Sequence, residues 1–337
     1  MTAKEQPAHG WHRATGSEKH YHVANFNTLS YATVLTQFTD AMRADRLRTD
    51  AVINADGVLH RIHAEGDKPS TRNGWYVLHG DGFPAGIYGN WKTGLVSNWR
   101  ADIGRKYSAG EERQHRERMV AIKRQRDEET KSRHIEASDK AVMLWGKAKQ
   151  ANPAHSYLLK KSVCAYGIRQ LNDALLIPLS DTSGHLHGLQ FIMADGSKKF
   201  GKDTAKAGHY HAIGEVPTDV LAICEGYATG ASIHAATRWP VAIAFDAGNL
   251  KPVSLALRNK CPSLTLLICA DNDKHTAYNP GLNNGREAAR AVGGICVAPA
   301  FTADSSGTDW NDHANEYGLD ATRAQLLGVL AEVSHVS

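Results

Sequence analysis

The stretch that decides the fold is DVLAICEG at residues 219–226, which SLTLLICADND at residues 263–273 matches in character. Each is a short apolar run that ends in acidic residues, a pattern typical of a buried strand followed by a turn. Two further apolar runs lie at residues 240–249 and 293–301, and stretches with helical character separate the four runs. Strands that alternate with helices predict an α/β fold, in which a parallel sheet carries helices on both faces.

Three carboxylates follow two of these strands, namely Glu225, Asp271 and Asp273. Right-handed crossovers place the carboxyl ends of parallel strands at one edge of the sheet, where open α/β sheets hold their ligands. Residues i and i+2 of a strand face the same side, so Asp271 and Asp273 point together if the strand geometry persists to Asp273. Close carboxylates repel one another, and oxygen ligands suit Mg²⁺ or Mn²⁺ rather than zinc. The sequence therefore predicts a divalent cation at this edge.

The motifs around these acids resemble the Toprim domain, the Rossmann-like catalytic fold of DnaG-type primases, topoisomerases and some nucleases. Glu-Gly-x-Ala-Thr-Gly begins at Glu225, Ala-Asp-Asn-Asp begins at Ala270, and Gly-x-Asp-Trp-Asn-Asp begins at Gly307. The version they resemble is that of the Toprim primases of plasmids, phages and integrative elements. The resemblance covers about residues 215–318 and implies a DNA primase of a mobile genetic element.

The resemblance also implies a role for each matching acid. Glu225 corresponds to the family's lone glutamate, a metal ligand or acid–base residue. Asp271 and Asp273 correspond to its metal-binding pair of aspartates, and Asp309 and Asp312 to the acids that extend the metal site. Two residues lie near the end of the second strand, on the same edge. We expect Asn249 to contact a phosphate and Asp246 only to cap a turn.

The preceding segment extends the resemblance. Such primases carry a subdomain with the pattern Pro-x5-Gly-x3-Gly-x-Gln, followed by a turn and a lysine-rich strand. Here the pattern runs from Pro178 to Gln190 and precedes a basic hairpin. The resemblance implies that lysines of this hairpin line the crevice and hold template or nucleotide phosphates, and the alternative is an ordinary basic hairpin. The lysines concerned are Lys198, Lys199 and Lys202.

The N-terminal module departs from the family pattern. DnaG-type primases carry a zinc ribbon there, but this chain has no cysteine before Cys164. Turn pairs and aromatic residues between Ala51 and Arg100 predict hairpins, so we expect an antiparallel, zinc-ribbon-like module without zinc. Its aromatic and basic residues suit single-stranded DNA by stacking and charge, unless the aromatics form the module's core. The predicted DNA-binding residues are Arg61, Arg72, Trp75, Trp91 and Lys92.

Composition bounds the remaining possibilities. The 337 residues carry a net charge of +4, which is compatible with nucleic acid but weak evidence alone. The five cysteines form no C-x-x-C pair, which favours a reducing, cytoplasmic setting. No apolar run reaches the length of about 18 residues that a membrane span needs, so no membrane is expected as a partner.

Changes in composition and in predicted secondary structure along the chain divide it into six segments. A flexible arm comes first, and the last segment is a helix with a tail. Between them lie a DNA-binding-like module, a charged helical connector, a small α+β subdomain and the catalytic domain. Their predicted bounds are 1–25 for the arm, 26–104 for the module, 105–150 for the connector, 151–214 for the subdomain, 215–318 for the Toprim domain and 319–337 for the C-terminal segment.

Three functions remain open at this point. The first is a primase that polymerises NTPs on a single-stranded DNA template, with Asp271 and Asp273 holding the metal ions. The second is a Toprim nuclease that uses the same metals, and the third is a non-catalytic protein that binds single-stranded DNA. Residues 226–232 lack the lysine of an ATPase phosphate loop, so a replicative helicase would be a separate partner. A topoisomerase is disfavoured because the chain is short.

Overall fold

The computed structural model describes residues 29–276 and 279–334. The chain forms two compact units, Met1–Arg124 and Gln125–Ser337. The flexible arm predicted for residues 1–25 lies outside the described residues.

The described part of the first unit contains a helix, the start of a second and longer helix, and a four-stranded antiparallel sheet in the order β1-β2-β3-β4. The first helix starts at Ser30, whose hydroxyl accepts a hydrogen bond from the amide of Thr33 and so satisfies one free donor of the first turn. Phe38 is fully buried and meets the rings of Tyr76 and Tyr88 edge to face, which anchors the helix to the sheet. The elements are α1 (Tyr31–Ala44), β1 (His60–Ile62), β2 (Gly74–His79), β3 (Ala85–Asn90) and β4 (Leu95–Arg100).

A long charged helix, α2 (Ala109–Lys147), continues from the first unit into the second. Most of its described side chains are exposed, as expected for a helix with charged residues on all sides. At its C-terminal end Ala141 is buried, and just beyond it Ala148 is buried against Leu176 and Leu189 of the next sheet. The helix lies within residues 105–150, the segment predicted to be a charged helical connector.

A five-stranded antiparallel sheet follows, in the order β5-β6-β7-β8-β9. Alternating side chains of its strands face two different cores. Leu175 and Ile177 belong to the core shared with the next sheet, whereas Leu176 packs toward the end of α2. The elements are β5 (Lys149–Gln150), α3 (Ser156–Lys161), β6 (Arg169–Leu171), β7 (Ala174–Ser180), β8 (Leu186–Ile192) and β9 (Lys198–Phe200).

The last sheet has the order β10-β12-β11-β13-β14. Strands β11 to β14 are parallel, as predicted, and β10 pairs antiparallel with β12 at one end. The sequence analysis did not predict β10, because three residues are too few to show a periodic pattern. The strands are β10 (His211–Ile213), β11 (Val220–Cys224), β12 (Val241–Ile243), β13 (Thr265–Cys269) and β14 (Ile295–Val297).

Helices cover both faces of this sheet, and the predicted fold class is confirmed. Residues of α4 and α8 pack on one face, and residues of α5 and α6 pack on the other. The parallel strands thus have both faces buried, which explains their continuous apolar runs. The helices are α4 (Tyr227–Thr237), α5 (Ala247–Lys260), α6 (Pro280–Val292), α7 (Trp310–Tyr317) and α8 (Leu319–Ser334).

Within residues 29–276 and 279–334, no helix is both long enough and apolar enough to cross a membrane.

Substitution of Gly285 tests the close packing of α6 on the sheet. A Cβ atom at this position would lie 2.5 Å from the Cβ atom of Ala270 and 3.2 Å from Sγ of Cys296. We expect Gly285→Ala to lower the free energy of unfolding by about 1–3 kcal/mol, because neither the helix nor the strand can yield easily. Urea denaturation measures the change.

The control for this variant is Gly146→Ala, since a Cβ atom on Gly146 in α2 meets no atom within 4 Å. Alanine favours a helix over glycine by up to about 1 kcal/mol, so this variant should be neutral or slightly more stable. Equal stability of the two variants would contradict the packing of α6 described above.

Candidate active site

The first acidic side chains stand at the carboxyl ends of adjacent strands. β11 and β13 pair in parallel register, with Cys224 opposite Cys269. Glu225 is the next residue after β11, and Asp271 follows β13 by two residues. Both cysteines are fully buried, so the two acids emerge from a rigid apolar layer at the edge where the sequence analysis placed them.

Burial is the main cause of a raised pKa at both Glu225 and Asp271. Burial raises the pKa of Glu225 to about 7, and the negative charge of Asp273 adds to the rise. Burial likewise raises the pKa of Asp271 to about 8, with Glu225 and Asp309 as the next causes. Oε1 of Glu225 and Oδ1 of Asp271 are buried, and neither has a hydrogen-bond partner. We call Glu225, Asp271, Asp273 and Asp309 the acidic cluster.

The other two members of the cluster already have a protein partner. Asp273 accepts a hydrogen bond from the amide of Gly281 at the start of α6, at 3.0 Å. Asp309 caps α7 and accepts from the amide of Asp312 at 2.8 Å. Burial raises the pKa of Asp309, while the amide of Asp312 opposes that rise. These contacts fix the directions in which both carboxylates point.

Asp312 lies one helical turn farther along. Its Oδ2 accepts from the amide of Thr308 at 3.1 Å, and its Oδ1 lies 3.8 Å from Nζ of Lys161. Asp312 therefore stabilises the start of α7, and its predicted part in an extended metal site remains a prediction.

The acidic cluster fits a divalent cation in part. Among the residues that the structure describes, no three His, Cys, Asp or Glu side chains are arranged to hold a metal ion by themselves. Mg²⁺, however, is usually held by one or two carboxylates together with water and substrate phosphates. The oxygens of Glu225 and Asp271 that lack a hydrogen-bond partner suit such a site, because a bound cation would compensate for the cost of burying them.

The three predicted lysines take different positions. Lys198, at the start of β9, interacts with the charges of Asp271 and Asp309, although desolvation and Lys161 lower its pKa. Its side chain remains accessible to solvent. Lys199 lines a cavity of about 470 Å³ together with Phe191. Lys202 is exposed in the turn that follows β9. Of the three, the structure brings only Lys198 to the acidic cluster.

Asn249 is buried at the start of α5 and its amide is fully engaged. Its Nδ2 donates to the carbonyls of Ala244 and His209, and its Oδ1 accepts from the amide of Gly208. Asn249 thus holds the segment before β10 against the sheet, and its contact with a phosphate remains a prediction. Asp246 caps α5, as predicted, by accepting from the amide of Asn249.

In the first unit, the aromatic residues divide into two groups. Trp75 and Tyr76 are buried on opposite faces of β2, so part of the aromatic set does form the core. Trp91 remains 48% exposed and lies 5.6 Å from the ring of Trp75. The guanidinium of Arg61 lies over the Trp91 ring at 4.4 Å. This arrangement is a flat, positively charged surface.

The two remaining basic residues of this prediction differ in their contacts. Lys92 forms an ion pair of 2.6 Å with Asp67, whose side chain is almost fully buried. Arg72 is exposed before β2. Lys92 therefore also has a local structural role, which its position in the sequence did not reveal.

The sequence analysis missed two residues of this region. Tyr157 and Lys161 lie in α3, outside the parallel sheet, yet both interact electrostatically with residues of the acidic cluster or with Lys198. In the sequence they belong to an ordinary short helix that ends in two lysines, a pattern that normally complements the helix dipole. No local signal could have identified them.

Comparison with known proteins agrees with this geometry. Residues 220–320 match the Toprim domain family. Over 257 residues the chain is 34% identical to a DNA primase TraC of Escherichia coli, which covers 73% of this chain and 24% of that protein. A second DNA primase TraC of Escherichia coli is 32% identical over 284 residues, or 79% of this chain and 19% of that protein.

A solved structure, the DnaG primase catalytic domain bound to ssDNA, aligns with a TM-score of 0.41 and 11% identity, over 59% of this chain and 80% of that chain. The chain spans about a quarter or less of the length of the TraC primases it matches. The resemblance to Toprim domains is confirmed, and the chain is homologous to a DNA primase.

Burial of the acidic cluster has a measurable effect on stability. Above pH 4 we expect Asp271→Asn to raise the melting temperature of the metal-free protein by about 2–4 °C for each kcal/mol gained, because an amide, unlike the carboxyl group, has no ionised form that favours the unfolded chain. Folded Asp271 keeps its proton up to a pH of about 8, whereas its ordinary pKa is 3.8. The wild type therefore loses stability relative to the variant as pH rises from about 4 to about 8.

Thermal unfolding in chelator across that pH range measures the difference, which should be small near pH 4 and largest above pH 8. A constant difference at every pH would show that ionisation of Asp271 is not its cause.

Proposed function

From its Toprim domain and its homology to a DNA primase, we propose that this chain is a metal-dependent primase, a nucleotidyltransferase that makes short primers on single-stranded DNA. The observation that supports this most is the pair of buried, unpartnered carboxylate oxygens on Glu225 and Asp271 at adjacent strand ends. Such a pair costs stability and is retained where a cation and a phosphate complete the site.

The acids have different roles in the proposed reaction. Asp271 and Asp273 would hold Mg²⁺ or Mn²⁺, with Asp309 and Asp312 extending the site. When bound, such a cation neutralises phosphate charge and makes a primer 3′-hydroxyl more acidic. Glu225 would hold a metal or accept the hydroxyl proton, and its pKa of about 7 suits proton transfer near neutral pH.

Positive groups would position the nucleotide and the template. Lys198 stands beside the acidic cluster and would contact a phosphate of the NTP. The weaker candidates are Lys199, which lines a separate cavity, Asn249, whose amide is engaged, and Lys202, which is exposed in the turn after β9. A phosphate there would relieve the electrostatic repulsion between Lys198 and Lys161.

The first unit would bind the single-stranded template. Trp91 presents an exposed ring that Arg61 covers at 4.4 Å, and unpaired bases stack well on such a surface. Trp75 supports the ring of Trp91 from within the unit. Arg72 and Lys92 would add contacts to the DNA backbone. A replicative helicase that supplies the single strand is a further proposed partner.

The acidic cluster is tested by Asp271→Ala in a priming assay with single-stranded DNA of mixed sequence, labelled NTPs and Mg²⁺ or Mn²⁺. We expect primer synthesis to fall at least about 100-fold, because the metal ion would lose a carboxylate ligand and the phosphate would then lose its contact with the metal ion. Binding of single-stranded DNA should be unchanged, since the predicted template surface lies elsewhere.

The matched control is Asp320→Ala, which removes an exposed acid at the start of α8. It should make primers at the wild-type rate. Unchanged primer synthesis by Asp271→Ala would contradict the assignment of the site. Degradation of the template by the wild type, without primer synthesis, would favour a nuclease. A wild type that neither makes primers nor degrades DNA, and that binds DNA equally well in chelator, would favour a non-catalytic binding protein.

The template surface is tested by Trp91→Ala. We expect the affinity for single-stranded DNA to fall about 5- to 150-fold, since one base–aromatic stack contributes about 1–3 kcal/mol. Trp91→Phe should restore most of the affinity, and Val96→Ala, at another exposed apolar residue, should leave it unchanged. Fluorescence anisotropy with a labelled oligonucleotide measures all three. Equal affinity of wild type and Trp91→Ala would remove Trp91 from the proposed interface.

A further inference from the structure

The chain turns sharply just after β12, at a residue with an unfavourable backbone conformation. Phe245 follows the last residue of β12 by two positions and has a φ of 73°. This left-handed region suits glycine, and for a bulky side chain it is a genuine outlier. Such strain persists only where the surrounding structure maintains it, and it is concentrated at active sites and ligand-binding segments. The conformation of Phe245 therefore points to a role beyond packing.

Phe245 lies at the same sheet edge as the acidic cluster. β11 and β12 are parallel neighbours, and the amide of Ala244 donates to the carbonyl of Cys224 at 2.8 Å, next to Glu225. Burial raises the pKa of Glu225 most, and one of the charges that add to the rise is that of Asp246, the residue after Phe245. The strained residue is thus one strand away from the first acid of the cluster.

A second aromatic ring meets Phe245 from β9. The ring centroids of Phe200 and Phe245 lie 5.8 Å apart at an interplanar angle of 75°, an edge-to-face contact. Lys198, two residues before Phe200, interacts with the charges of Asp271 and Asp309. Residues i and i+2 of a strand face the same side, so Phe200 lies on the side of β9 that carries Lys198. We call Phe200 and Phe245 the aromatic pair.

One lysine contacts both sides of the aromatic pair. Nζ of Lys206 lies 4.9 Å from the centroid of the Phe200 ring and 2.8 Å from Oδ2 of Asp246. This ion pair ties the segment after β9 to the start of α5 and so helps to hold the two rings together. Both Phe200 and Phe245 are only partly buried. Part of the surface of the aromatic pair is therefore open to a ligand.

We propose that Phe245, with Phe200 beside it, forms a stacking surface for a nucleobase next to the acidic cluster. Every nucleobase has a π face, and aromatic side chains bind such faces with little regard to sequence. A phenylalanine ring has no hydrogen-bonding group, so the aromatic pair recognises the base and not a phosphate. The base belongs either to the NTP or to the template strand. The inference rests on the proposed function for the presence of a nucleotide, but stacking itself requires no catalysis.

Phe245→Leu tests the aromatic pair, because leucine keeps an apolar side chain and has no π face. If the base is that of the NTP, isothermal titration with ATP in Mg²⁺ should show an affinity about 5- to 150-fold below that of the wild type, the range for one base–aromatic stack. The affinity for inorganic tripolyphosphate, which has no base, should be unchanged. Phe245→Tyr should restore the affinity for ATP. In the priming assay, the KM for ATP should rise in Phe245→Leu with kcat unchanged.

Single-stranded DNA distinguishes the two sources of the base. If Phe245 stacks on a template base, Phe245→Leu should lose affinity for an ordinary oligonucleotide and bind an oligonucleotide of abasic sites as the wild type does. Its affinity for ATP would then be unchanged. A variant that loses affinity for neither ATP nor the oligonucleotide would overturn the proposal. An equal loss for ATP and tripolyphosphate would also overturn it, because a disturbed site and not a lost stack would be the cause.

Trp239→Leu is the matched control. Trp239 precedes β12 by two residues, as Phe245 follows it by two, and both side chains are partly buried against the same core. The control therefore removes an aromatic ring from the opposite end of the same strand. It should bind ATP, tripolyphosphate and DNA as the wild type does.

Phe245→Trp provides a second test that does not depend on the folding of the leucine variant. An indole has a larger π face than a phenyl ring, so this variant should bind the base at least as tightly as the wild type. The fluorescence that it adds to that of the wild type should be quenched when the base stacks. Added fluorescence that neither saturating ATP nor saturating oligonucleotide changes would overturn the proposal.

The outcomes also separate the stacking surface from the enzyme. Binding of ATP or DNA that depends on Phe245, in a protein that makes no primer, would retain the stacking surface and reject the primase. Primer synthesis by Phe245→Leu with wild-type affinities for ATP and DNA would retain the primase and reject the stacking surface.

Discussion

The burial of carboxylates at the edge of the parallel sheet is the constraint on which the rest of the second unit depends. Glu225 and Asp271 extend from two strands in register, and burial raises the pKa of both. An isolated pair of this kind would drive the strand ends apart. The apolar layer below them, with Cys224 and Cys269 fully buried, resists that movement. The fold thus maintains an arrangement that is unfavourable until a ligand compensates it.

The groups opposite the acids show the reverse imbalance. Lys198 and Lys161 repel each other, and the N-terminus of α4 adds positive charge. The region therefore has a negative half and a positive half that neutralise each other only in part. A cation suits the first half and a phosphate the second. A nucleotide with its metal ion would satisfy both halves together, which a cation or an anion alone would not.

The first unit uses its aromatic residues in two ways. Phe38, Tyr76 and Tyr88 belong to the core that holds α1 against the sheet. Trp91 stays exposed beside Arg61 and is the candidate for contact with DNA. The two interpretations of this module that the sequence left open are thus compatible, because they apply to different residues.

The sequence by itself determined the order of strands and helices in the last sheet, and the edge at which Glu225, Asp271 and Asp273 lie. Those features follow from local periodicity and from the handedness of crossovers, which any stretch of the chain expresses on its own. It did not show β10, whose three residues are held by pairing with β12. Nor did it show that Tyr157 lies near the start of α4, or that Asn249 is engaged in holding the chain before β10. Only the tertiary structure decided these contacts, because they join segments far apart in the chain that no periodic pattern relates.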